Sequence, residues 1–561
     1  MGANCNLIQP QDATPHHVAF IADPQLVDPH TYPGRPWPLS TLTEKYTDQY
    51  LRRSFSSIQE SIVPDSILFL GDLFDGGREW GTRKSSSPEK RYQKYNDSFW
   101  KKEYGRFVNI FFRPWQEQQG TVEERGRRMI ASLPGNHDLG FAHGIQRPVR
   151  DRFHTYFGRS NRVDVLGNHS FVSVDTVSLS AMDKPDPKTG SSSSSADPDS
   201  EGLPPLPPIW KEAGEFLDKM PQPRARAETE ELRALRNQSE DLKFEYRITN
   251  AGENAVHSEP EPKLAGFPTI LLTHVPLYRN PGTPCGPLRE HYPPSGPDLE
   301  QDEQNALKIA GGYQYQNVLT QTVSNELVNK IGSNLVQVYS GDDHDYCEVS
   351  HREFNGSPKE ITVKSLSWAM GVRKPGFLLT SLWNPIDPET GESTSKGSSP
   401  TIQNHLCLMP DQLGVFIYYG CILALTIAVL LIHSIHRVIF ASDPTPANDA
   451  ILPLSENRNM RPRHRYQSSG TSSSTLSSLG ARNGMTALTR NPSVKSSYDT
   501  YRGLDHDDIE MSESKDKASS RPTGSHGPRR KVVLISRHLY RSLRSVARLV
   551  LPVYLFMIWR W

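Results

Sequence analysis

The chain has 561 residues, but only 35% are hydrophobic, and 45 prolines, 39 glycines and repeated serine runs indicate that a sizeable fraction is unpacked. Lysine plus arginine (63) equals aspartate plus glutamate (63), which argues against a basic nucleic-acid binder, and a mean hydropathy of −0.58 excludes a polytopic transporter. Five scattered cysteines form neither a disulfide scaffold nor a zinc-ribbon spacing. We therefore expect one folded core, long linkers and no nucleic-acid partner.

The first 17 residues contain no apolar stretch typical of a signal peptide or a first membrane anchor. Two interpretations stay open: a later segment directs membrane insertion, or the natural N-terminus is longer than this chain. The start MGANC resembles a myristoylation site, but Asn6 stands where serine or threonine is needed, so lipidation is not expected.

Short apolar runs typical of β-strands recur through the first 400 residues, and each stops at an aspartate, asparagine or histidine. In chain order they are HVAFIAD, ending at Asp23; SILFLGD, ending at Asp72; MIASLPGNHD, with Asn136 and His137; TILLTH, ending at His274; and LVQVYSGDDHD, with Asp342 and His344. A helical pattern over residues 46–63 separates the first two runs. This alternation predicts an α/β domain, whose ligands bind beyond the carboxyl ends of its strands, so we expect one shared site.

The residue types at these strand ends suit hard or borderline divalent cations, and the absence of a thiolate among them excludes zinc-finger chemistry. Each motif alone has a plainer interpretation: a turn carboxylate at Asp23, a glycine-rich turn at GDLFDGG, a core histidine at His274 and an acidic surface loop at GDDHD. GNHD is more specific, because Gly135 lets the backbone turn sharply while the next three side chains project together. The five motifs in this order favour one metal site over five coincidences.

Two stretches are expected to be disordered. Residues 183–265 open with DKPDPKTGSSSSSADPDSEGLPPLPP and hold at most one short helix near residues 225–235, which indicates an insertion in the domain. Residues 441–530 are rich in serine, arginine, asparagine and glycine, which indicates a tail or loop. The folded domain is accordingly predicted over residues 16–385, with a linker over 386–412.

Residues 413–432, LGVFIYYGCILALTIAVLLI, are uncharged and long enough to span a hydrocarbon core as a helix. A buried core helix is the alternative, but such helices rarely run this long without a polar face. The closing run 549–559 is shorter and contains Pro552, so a second crossing and an interfacial anchor both stay open.

The distribution of positive charge predicts how the helix is oriented. The nearest basic residue before it is Lys396, whereas Arg437 and a group from Arg458 to Arg465 follow it, which predicts a cytosolic C-terminal side. The N-terminal domain would then be luminal. N-glycosylation sequons fit that side and occur at Asn96, Asn168, Asn237 and Asn355.

The ordered set Asp23, GDLFD, GNHD, His274 and GDDH resembles the calcineurin-like metallophosphoesterase superfamily, whose usual pattern is D-x-H, GD-x-x-D, GNH-[DE], H and GH-x-H. The strings FLGDLFDGGREW, YNDSFWKKEYGRF, LPGNHDLGF and SGDDHDYC further resemble membrane-anchored phosphodiesterases of the fungal secretory pathway, which remove ethanolamine phosphate from glycosylphosphatidylinositol (GPI) anchors. The resemblance covers residues 16–385 outside the insertion. It implies a sandwich of β-sheets flanked by helices, followed by a C-terminal transmembrane helix.

The same resemblance implies two divalent metal ions and a proton donor. Asp23 and His344 would hold the first ion, Asp72 would bridge both ions, and the second would be held by Asn136, His274 and Asp342. His137 would protonate the leaving oxygen, and Asp138 would support its imidazolium.

Two positions depart from the superfamily pattern. Gln25 stands where a histidine is usual, and Asp342 stands where the first histidine of GH-x-H is expected. An amide oxygen is a weak neutral ligand and a carboxylate adds negative charge, so the site should prefer an oxygen-loving ion such as Mn²⁺ over Zn²⁺.

The function implied by the resemblance is removal of ethanolamine phosphate from the mannose of GPI anchors. GPI-anchored proteins or the GPI glycolipid would be the substrate, and the protein would lie in the endoplasmic reticulum membrane, with the Golgi as the alternative. Two other functions stay open: a membrane-anchored phosphoprotein or nucleotide phosphatase, and a catalytically inactive metal-binding scaffold.

Overall fold

The computed structural model describes residues 14–118, 128–183, 207–238, 265–290, 302, 304–312, 314–394, 401–440 and 528–560. The strands are β1 His16–Ile21, β2 Ser66–Phe69, β3 Arg128–Ile130, β4 Arg162–Leu166, β5 His169–Ser173, β6 Thr269–Leu272, β7 Gly311–Gly312, β8 Tyr315–Gln316, β9 Leu335–Ser340, β10 Cys347–Ser350, β11 Lys359–Thr362, β12 Gly376–Leu382 and β13 Ile402–Leu408. The helices are α1 Leu39–Ser61, α2 Asp97–Phe107, α3 Arg113–Gln118, α4 Asn136–Leu139, α5 Arg147–Phe157, α6 Thr176–Leu179, α7 Lys211–Lys219, α8 Pro221–Leu235, α9 Gln321–Ile331, α10 Gln412–Phe440 and α11 Pro528–Arg560.

The N-terminal 408 residues contain two large sheets. The first has the strand order β13-β12-β1-β2-β3, and the second has the order β10-β11-β9-β6-β5-β4. β1, β2 and β3 are mutually parallel, as are β5, β6, β9 and β11. Parallel neighbours bring their carboxyl ends to the same edge of a sheet, and this is what gathers the polar strand ends predicted from the sequence.

The two sheets pack face to face through alternate strand residues. In β1, Val18 and Phe20 point toward the second sheet, where the ring centroid of Phe20 lies 4.2 Å from that of Tyr339. Ala19 and Ile21 point the other way, into a core shared with the helices. Because side chains alternate along a strand, one sheet can bury both faces when every position is apolar. The predicted α/β sandwich flanked by helices is confirmed.

Helix α1 covers the outer face of the first sheet. Its buried positions include Leu51, Phe55 and Ile58, which recur at three- and four-residue spacing and therefore share one face of the helix. Phe55 and Phe69 of β2 both contact Phe111, with ring centroids 5.2 Å away in each case. This aromatic layer fixes β2, whose carboxyl end contributes to the site.

Residues 207–238 correct the prediction of a disordered insertion over 183–265. The helices α7 and α8 lie within it, and their apolar residues, Ala213, Leu217, Met220 and Ala225, are buried. Buried Glu228 accepts hydrogen bonds from Arg224 at 2.8 Å and from Ser170 of β5 at 2.7 Å. Since β5 and β6 are adjacent and parallel, a crossover between them is obligatory, and these helices belong to it. The rest of the segment, 184–206 and 239–264, lies outside the described residues.

The predicted linker over 386–412 also needs correction. β13 lies within it and pairs with β12 over seven residues, from Gly376↔Leu408 to Leu382↔Ile402. The folded domain therefore extends through Leu408 and not to residue 385. The run IQNHLCL has three consecutive polar residues and no regular alternation, so no strand was predicted there.

One disulfide joins Cys285 to Cys347, 62 residues apart, and ties the segment after β6 to the start of β10. The wide spacing of the cysteines gave no indication of this bridge, because the two residues meet only through the folding of the second sheet. Cys421, in α10, is free and exposed.

The chain divides into two compact units, one ending at Leu423 and one from Ala424 to Arg560. Helix α10 contains the predicted span 413–432, and among the described residues it alone is long and apolar enough to cross a bilayer. The run 549–559 lies in α11, a helix that contains Pro552. Of the predicted tail 441–530, residues 441–527 lie outside the described residues.

Candidate metal centre

Five loops bring the predicted ligands to one edge of the sandwich. Asp23 and Gln25 follow β1, Asp72 follows β2, Asn136 opens α4 after β3, His274 follows β6, and Asp342 and His344 follow β9. Ligand atoms of Asp23, Asp72 and His274 all lie within 4.8 Å of one another, and all three side chains are buried. The strand-end pattern in the sequence therefore corresponds to one buried cluster.

Three oxygens surround the Nε2 atom of His274. Asn136 Oδ1 lies 3.3 Å from it, and Asp72 Oδ1 and Asp342 Oδ1 each lie 3.5 Å from it. Ligands about 2.0–2.2 Å from a shared cation are separated from one another by roughly 3–3.5 Å, so the four atoms have the spacing of a metal coordination sphere. Asn136, His274 and Asp342 are the residues that the resemblance assigns to the second ion, and Asp72 is the residue that it assigns to both ions.

Hydrogen bonds to backbone carbonyls orient two of these ligands. The Nδ1–H of His274 donates to the Leu70 carbonyl at 2.8 Å, which leaves the Nε2 lone pair directed at the cluster. The Nδ2 of Asn136 donates to the Gln314 carbonyl at 3.2 Å, which leaves Oδ1 as the atom facing His274. Both side chains are thus held with a ligand atom toward the site.

The side of the cluster near β1 contains buried oxygens that lack hydrogen-bond partners among the described residues. They are Asp23 Oδ2, Gln25 Oε1 and Asp342 Oδ2. A buried carboxylate or amide oxygen without a donor is unfavourable by about 1–3 kcal/mol, and a metal ion would satisfy it. The donor set therefore fits a dimetal centre.

Gln25 has a definite place in this arrangement. Its Nε2 donates to Asp72 Oδ2 at 2.7 Å, and its backbone N–H donates to the Asp72 carbonyl at 3.0 Å. Gln25 therefore orients the predicted bridging carboxylate while its own Oε1 stays free for a metal.

Electrostatics at the cluster indicate an excess of negative charge. Burial raises the pKa of Asp23 to about 7, against the opposing attraction of His344 and His274. The pKa of His274 lies well above its ordinary value because Asp72, Asp342 and Asp23 outweigh the effect of its burial. Even a protonated His274 would not balance the three carboxylates, and divalent cations bound at its neutral Nε2 would supply the missing charge.

The backbone is unusual at the same positions. Positive φ angles occur at Asp23 (46°), Gln25 (28°), Asp72 (51°), Asp342 (70°) and His344 (67°). Non-glycine residues rarely adopt this conformation, and such strain concentrates at functional sites. The sharp turns direct successive side chains toward the cluster.

Asp72 approaches the backbone at position 135 so closely that only glycine fits there. A Cβ atom at this position would lie 2.0 Å from Asp72 Oδ1, so any larger residue would displace the predicted bridging carboxylate. The glycine of GNHD therefore serves packing against Asp72 as well as the turn expected from the sequence.

His137 lies beside the cluster with a carboxylate partner. Its Nδ1–H donates to the Asp75 carbonyl at 2.6 Å, and Asp75 Oδ1 lies 3.4 Å from the same nitrogen. The other Asp75 oxygen contacts His30 Nδ1 at 2.8 Å. Burial would raise the pKa of Asp75, but His30 and His137 outweigh it and hold that pKa at about 2. Asp75 is therefore an ionised carboxylate between two imidazoles.

The prediction that Asp138 supports the His137 imidazolium is wrong. The Asp138 carboxylate accepts hydrogen bonds from the backbone N–H groups of Leu73, Phe74 and Gly135, at 2.9–3.1 Å. It therefore fixes the loop after β2 against α4, and Asp75 stands beside His137 instead. Adjacent residues of a helix point about 100° apart, so His137 and Asp138 cannot face the same way.

Sequence reasoning gave no role to His30 and left two roles open for Arg78, at the substrate mouth or in the structure of the loop. The Arg78 guanidinium donates to the Asn136 carbonyl at 3.1 Å and lies 3.4 Å from buried Glu79. It also lies 3.5 Å from His30 Nε2. The motif GDLFDGGRE contained the signal for Arg78, since it directly follows the metal loop, but nothing in the sequence linked His30 to this place.

The fold and site define a metal-dependent phosphoesterase built on a dimetal centre. The family model described as Calcineurin-like phosphoesterase matches residues 16–302, slightly more than half of the chain. This protein belongs to that family.

Relatives with curated names agree with the assignment. Cell division control protein 1 of Saccharomyces cerevisiae is 34% identical over 407 residues, which is 72% of this chain and 62% of that relative. Metallophosphoesterase 1 of Mus musculus is 25% identical over 386 residues, covering 69% of this chain and 72% of the mouse protein. The chain thus spans less than two thirds of the yeast relative. A dimetal phosphatase from Danio rerio shows a remote likeness in structure, with 10% identity, a TM-score of 0.30, and 66% and 94% of the two chains covered.

Proposed function

We propose that this protein is a phosphodiesterase that removes ethanolamine phosphate from a mannose of GPI anchors. The GPI glycolipid or GPI-anchored proteins would be its substrate, the endoplasmic reticulum or Golgi membrane its location, and the lumen the side on which it acts. The observation that carries the proposal is the joining of a dimetal phosphoesterase site to an apolar helix. That helix begins at Gln412, four residues after the last strand ends at Leu408.

A lipid-linked glycan suits this architecture, because an enzyme tethered beside the bilayer meets such a substrate at the membrane surface. The longer strings around the metal loops, such as FLGDLFDGGREW and SGDDHDYC, further support GPI remodelling by their resemblance to enzymes of that kind. The Cys285–Cys347 disulfide supports a luminal location, since such bridges persist in the oxidising secretory pathway and are rare in the cytosol.

The ligand set supports Mn²⁺ as the metal. Asp23, Asp72, Asn136 and Asp342 offer oxygen, whereas His274 and His344 offer nitrogen. Oxygen-rich sets with a neutral amide favour manganese over zinc, which prefers more nitrogen and sulfur. When bound, two divalent cations would activate water and neutralise the phosphoryl oxygens.

The chain's own residues supply the remaining chemistry. His137 Nδ1 donates to the Asp75 carbonyl, so Nε2 is the ring atom able to hold the proton for the departing sugar oxygen. Burial lowers the pKa of His137, and the carboxylates of Asp72 and Asp75 oppose that effect, with Asp75 Oδ1 3.4 Å from Nδ1. A sugar alkoxide is a poor leaving group, and its protonation by a positioned acid contributes about 10²–10⁴ in rate.

The proposal is tested with the full chain in lipid nanodiscs that contain a GPI glycolipid bearing ethanolamine phosphate. We expect Mn²⁺-dependent release of ethanolamine phosphate, measured by mass spectrometry, and no release by Asp72→Asn. Retention of metal-dependent activity on an aryl phosphodiester, with the GPI substrate left intact, would contradict GPI remodelling and favour another phosphoesterase function. Inactivity on both, with metal bound, would favour the inactive scaffold.

A further inference from the structure

Helix α1 begins with apolar residues that are not buried. Trp37, just before the helix, is 80% exposed, and Leu39 and Leu42 are 52% and 38% exposed. Leu39, Leu42 and Tyr46 are spaced three and four residues apart and therefore lie on one face of the helix. We call Trp37, Leu39, Leu42 and Tyr46 the apolar stripe. Exposed patches of this kind mark contact surfaces.

The apolar stripe is continuous with the start of the membrane helix. The Tyr46 ring centroid lies 5.2 Å from that of Phe416 in α10, and the Tyr46 hydroxyl donates to Gln412 Oε1 at 3.1 Å. Trp368 completes this aromatic cluster, with its ring 5.7 Å from Phe416. The first turn of the apolar helix therefore packs on the same helix α1 that bears the stripe.

A polar contact fixes the same junction. Arg373 Nε donates to Asp411 Oδ2 at 2.6 Å, and Asp411 Oδ1 accepts from the Gly414 backbone N–H at 2.7 Å. Asp411 thus closes the first turn of α10 and holds it to the folded domain. The catalytic domain is therefore not joined to α10 by a free linker at this point.

From this junction we infer that the apolar stripe inserts into the membrane interface and seats the catalytic domain on the lipid surface. Residues packed against the first turn of a membrane-spanning helix lie at the depth of the headgroups, where tryptophan and tyrosine are enriched. Trp37 and the two leucines extend that contact by about 10 Å, the length of the seven residues from Leu39 to Tyr46. Exposure to lipid explains why Trp37, Leu39 and Leu42 are apolar and yet exposed among the described residues.

The stripe also connects to the site. His30 contacts Asp75, and only seven residues lead from His30 to Trp37, a span of at most about 25 Å. Within this segment the Arg35 guanidinium stacks on the Tyr32 ring at 3.6 Å. Seating the stripe on the bilayer would therefore hold the entrance of the site within reach of a headgroup-linked substrate.

The inference requires only that α10 crosses a bilayer, and its first test does not depend on turnover. The full chain is placed in nanodiscs whose lipids carry bromine on the acyl chains near the headgroup, and the emission of Trp37 is taken as the difference between wild type and Trp37→Phe. We expect bromine to quench most of that difference emission. Difference emission that is equal in brominated and unbrominated nanodiscs would overturn the inference.

A second measurement compares two substrates. The variant Trp37→Ser/Leu39→Gln/Leu42→Gln should hydrolyse a water-soluble aryl phosphodiester at the wild-type rate and a lipid-anchored aryl phosphodiester several-fold more slowly. The matched control is Leu235→Gln, at a helical leucine of similar exposure (40%) in α8, which should change neither rate. Equal rates of the triple variant and wild type on the lipid-anchored substrate would also overturn the inference. Neither readout depends on GPI glycolipid being the natural substrate.

Discussion

Replacing His137 by alanine separates proton donation from metal binding. The ring is held by its Nδ1 on the Asp75 carbonyl at 2.6 Å, and only its backbone N–H contacts a predicted metal ligand, Asp72 Oδ1, at 2.8 Å. Alanine keeps that backbone contact and removes Nε2. We therefore expect His137→Ala to retain its metals and to lose about 10²–10⁴ in kcat on a substrate with an alkyl leaving group. At 1.36 kcal/mol per tenfold change, this loss is about 3–5 kcal/mol of barrier.

The assay uses two diesters that share one phosphoryl group. An aryl oxide departs without a proton, so His137→Ala should recover much of its rate on the aryl substrate. The comparison variant is Asn136→Ala, which removes an oxygen 3.3 Å from His274 Nε2 and should lower both metal content and both rates. Metal content and the two rates are measured on one preparation of each variant. Equal losses on both diesters for His137→Ala, or loss of its metal, would refute the role given to the histidine.

Three further predictions concern the fold, the carboxylate beside His137 and the topology. Glu228→Gln leaves the charge of buried Arg224 unpaired and should destabilise the domain by about 3–5 kcal/mol in thermal unfolding, whereas Glu230→Gln, exposed on the same helix, should not. Equal Tm values for the two variants would show that the helix does not pack as described. His30→Gln removes the imidazole whose Nδ1 lies 2.8 Å from Asp75 Oδ2 and should lower kcat about tenfold on an alkyl diester only. An equal loss of kcat on the aryl diester would indicate a merely structural role for His30. If the domain is luminal, the exposed Asn355 should be glycosylated, and Asn355→Gln should make the endoglycosidase-H-sensitive shift on gels smaller by one glycan. An unglycosylated wild type would count against that orientation.

The residues of the metal cluster were predictable because of a simple regularity. Polar residues that follow parallel strands meet at one sheet edge, and Asp23, Asp72, His274 and Asp342 each lie two or three residues after the end of a strand. Their convergence needs no knowledge of loops or rotamers. The sandwich followed from the same runs, since strands with apolar residues at every position must be covered on both faces.

The partner of His137 could not be predicted in that way. Asp138 is adjacent in sequence and Asp75 is 62 residues away, yet the turn of α4 directs Asp138 to the loop backbone and leaves Asp75 beside the ring. Only the packing of two loops decides between the two carboxylates. His30 was missed for the same reason, since its contact with Asp75 crosses 45 residues.

Helix α7 and the start of α8 were missed because composition outweighed periodicity, whereas the short helix expected near residues 225–235 lies within α8. Proline and serine dominate the start of the segment, but Ala213, Leu217, Met220 and Ala225 recur at spacings of three to five residues. A helical face of four apolar positions was thus present in the sequence. Its burial depends on a parallel pairing of β5 and β6 that no local pattern reveals.

The order of strands in the first sheet has a consequence for biosynthesis. β1 is made first and lies between β2 and β12, so one of its edges stays unpaired until residues 376–382 have been made. β13 then completes the sheet, and only three residues, 409–411, separate it from α10. The ribosome covers the most recently added segment, so the apolar helix is already synthesised when β13 becomes free to pair. If α10 enters the bilayer as proposed, the nascent domain therefore closes its sheet as a tethered molecule. A chain damaged in β12 or β13 would then reach cellular quality control as an open sheet edge held at the bilayer.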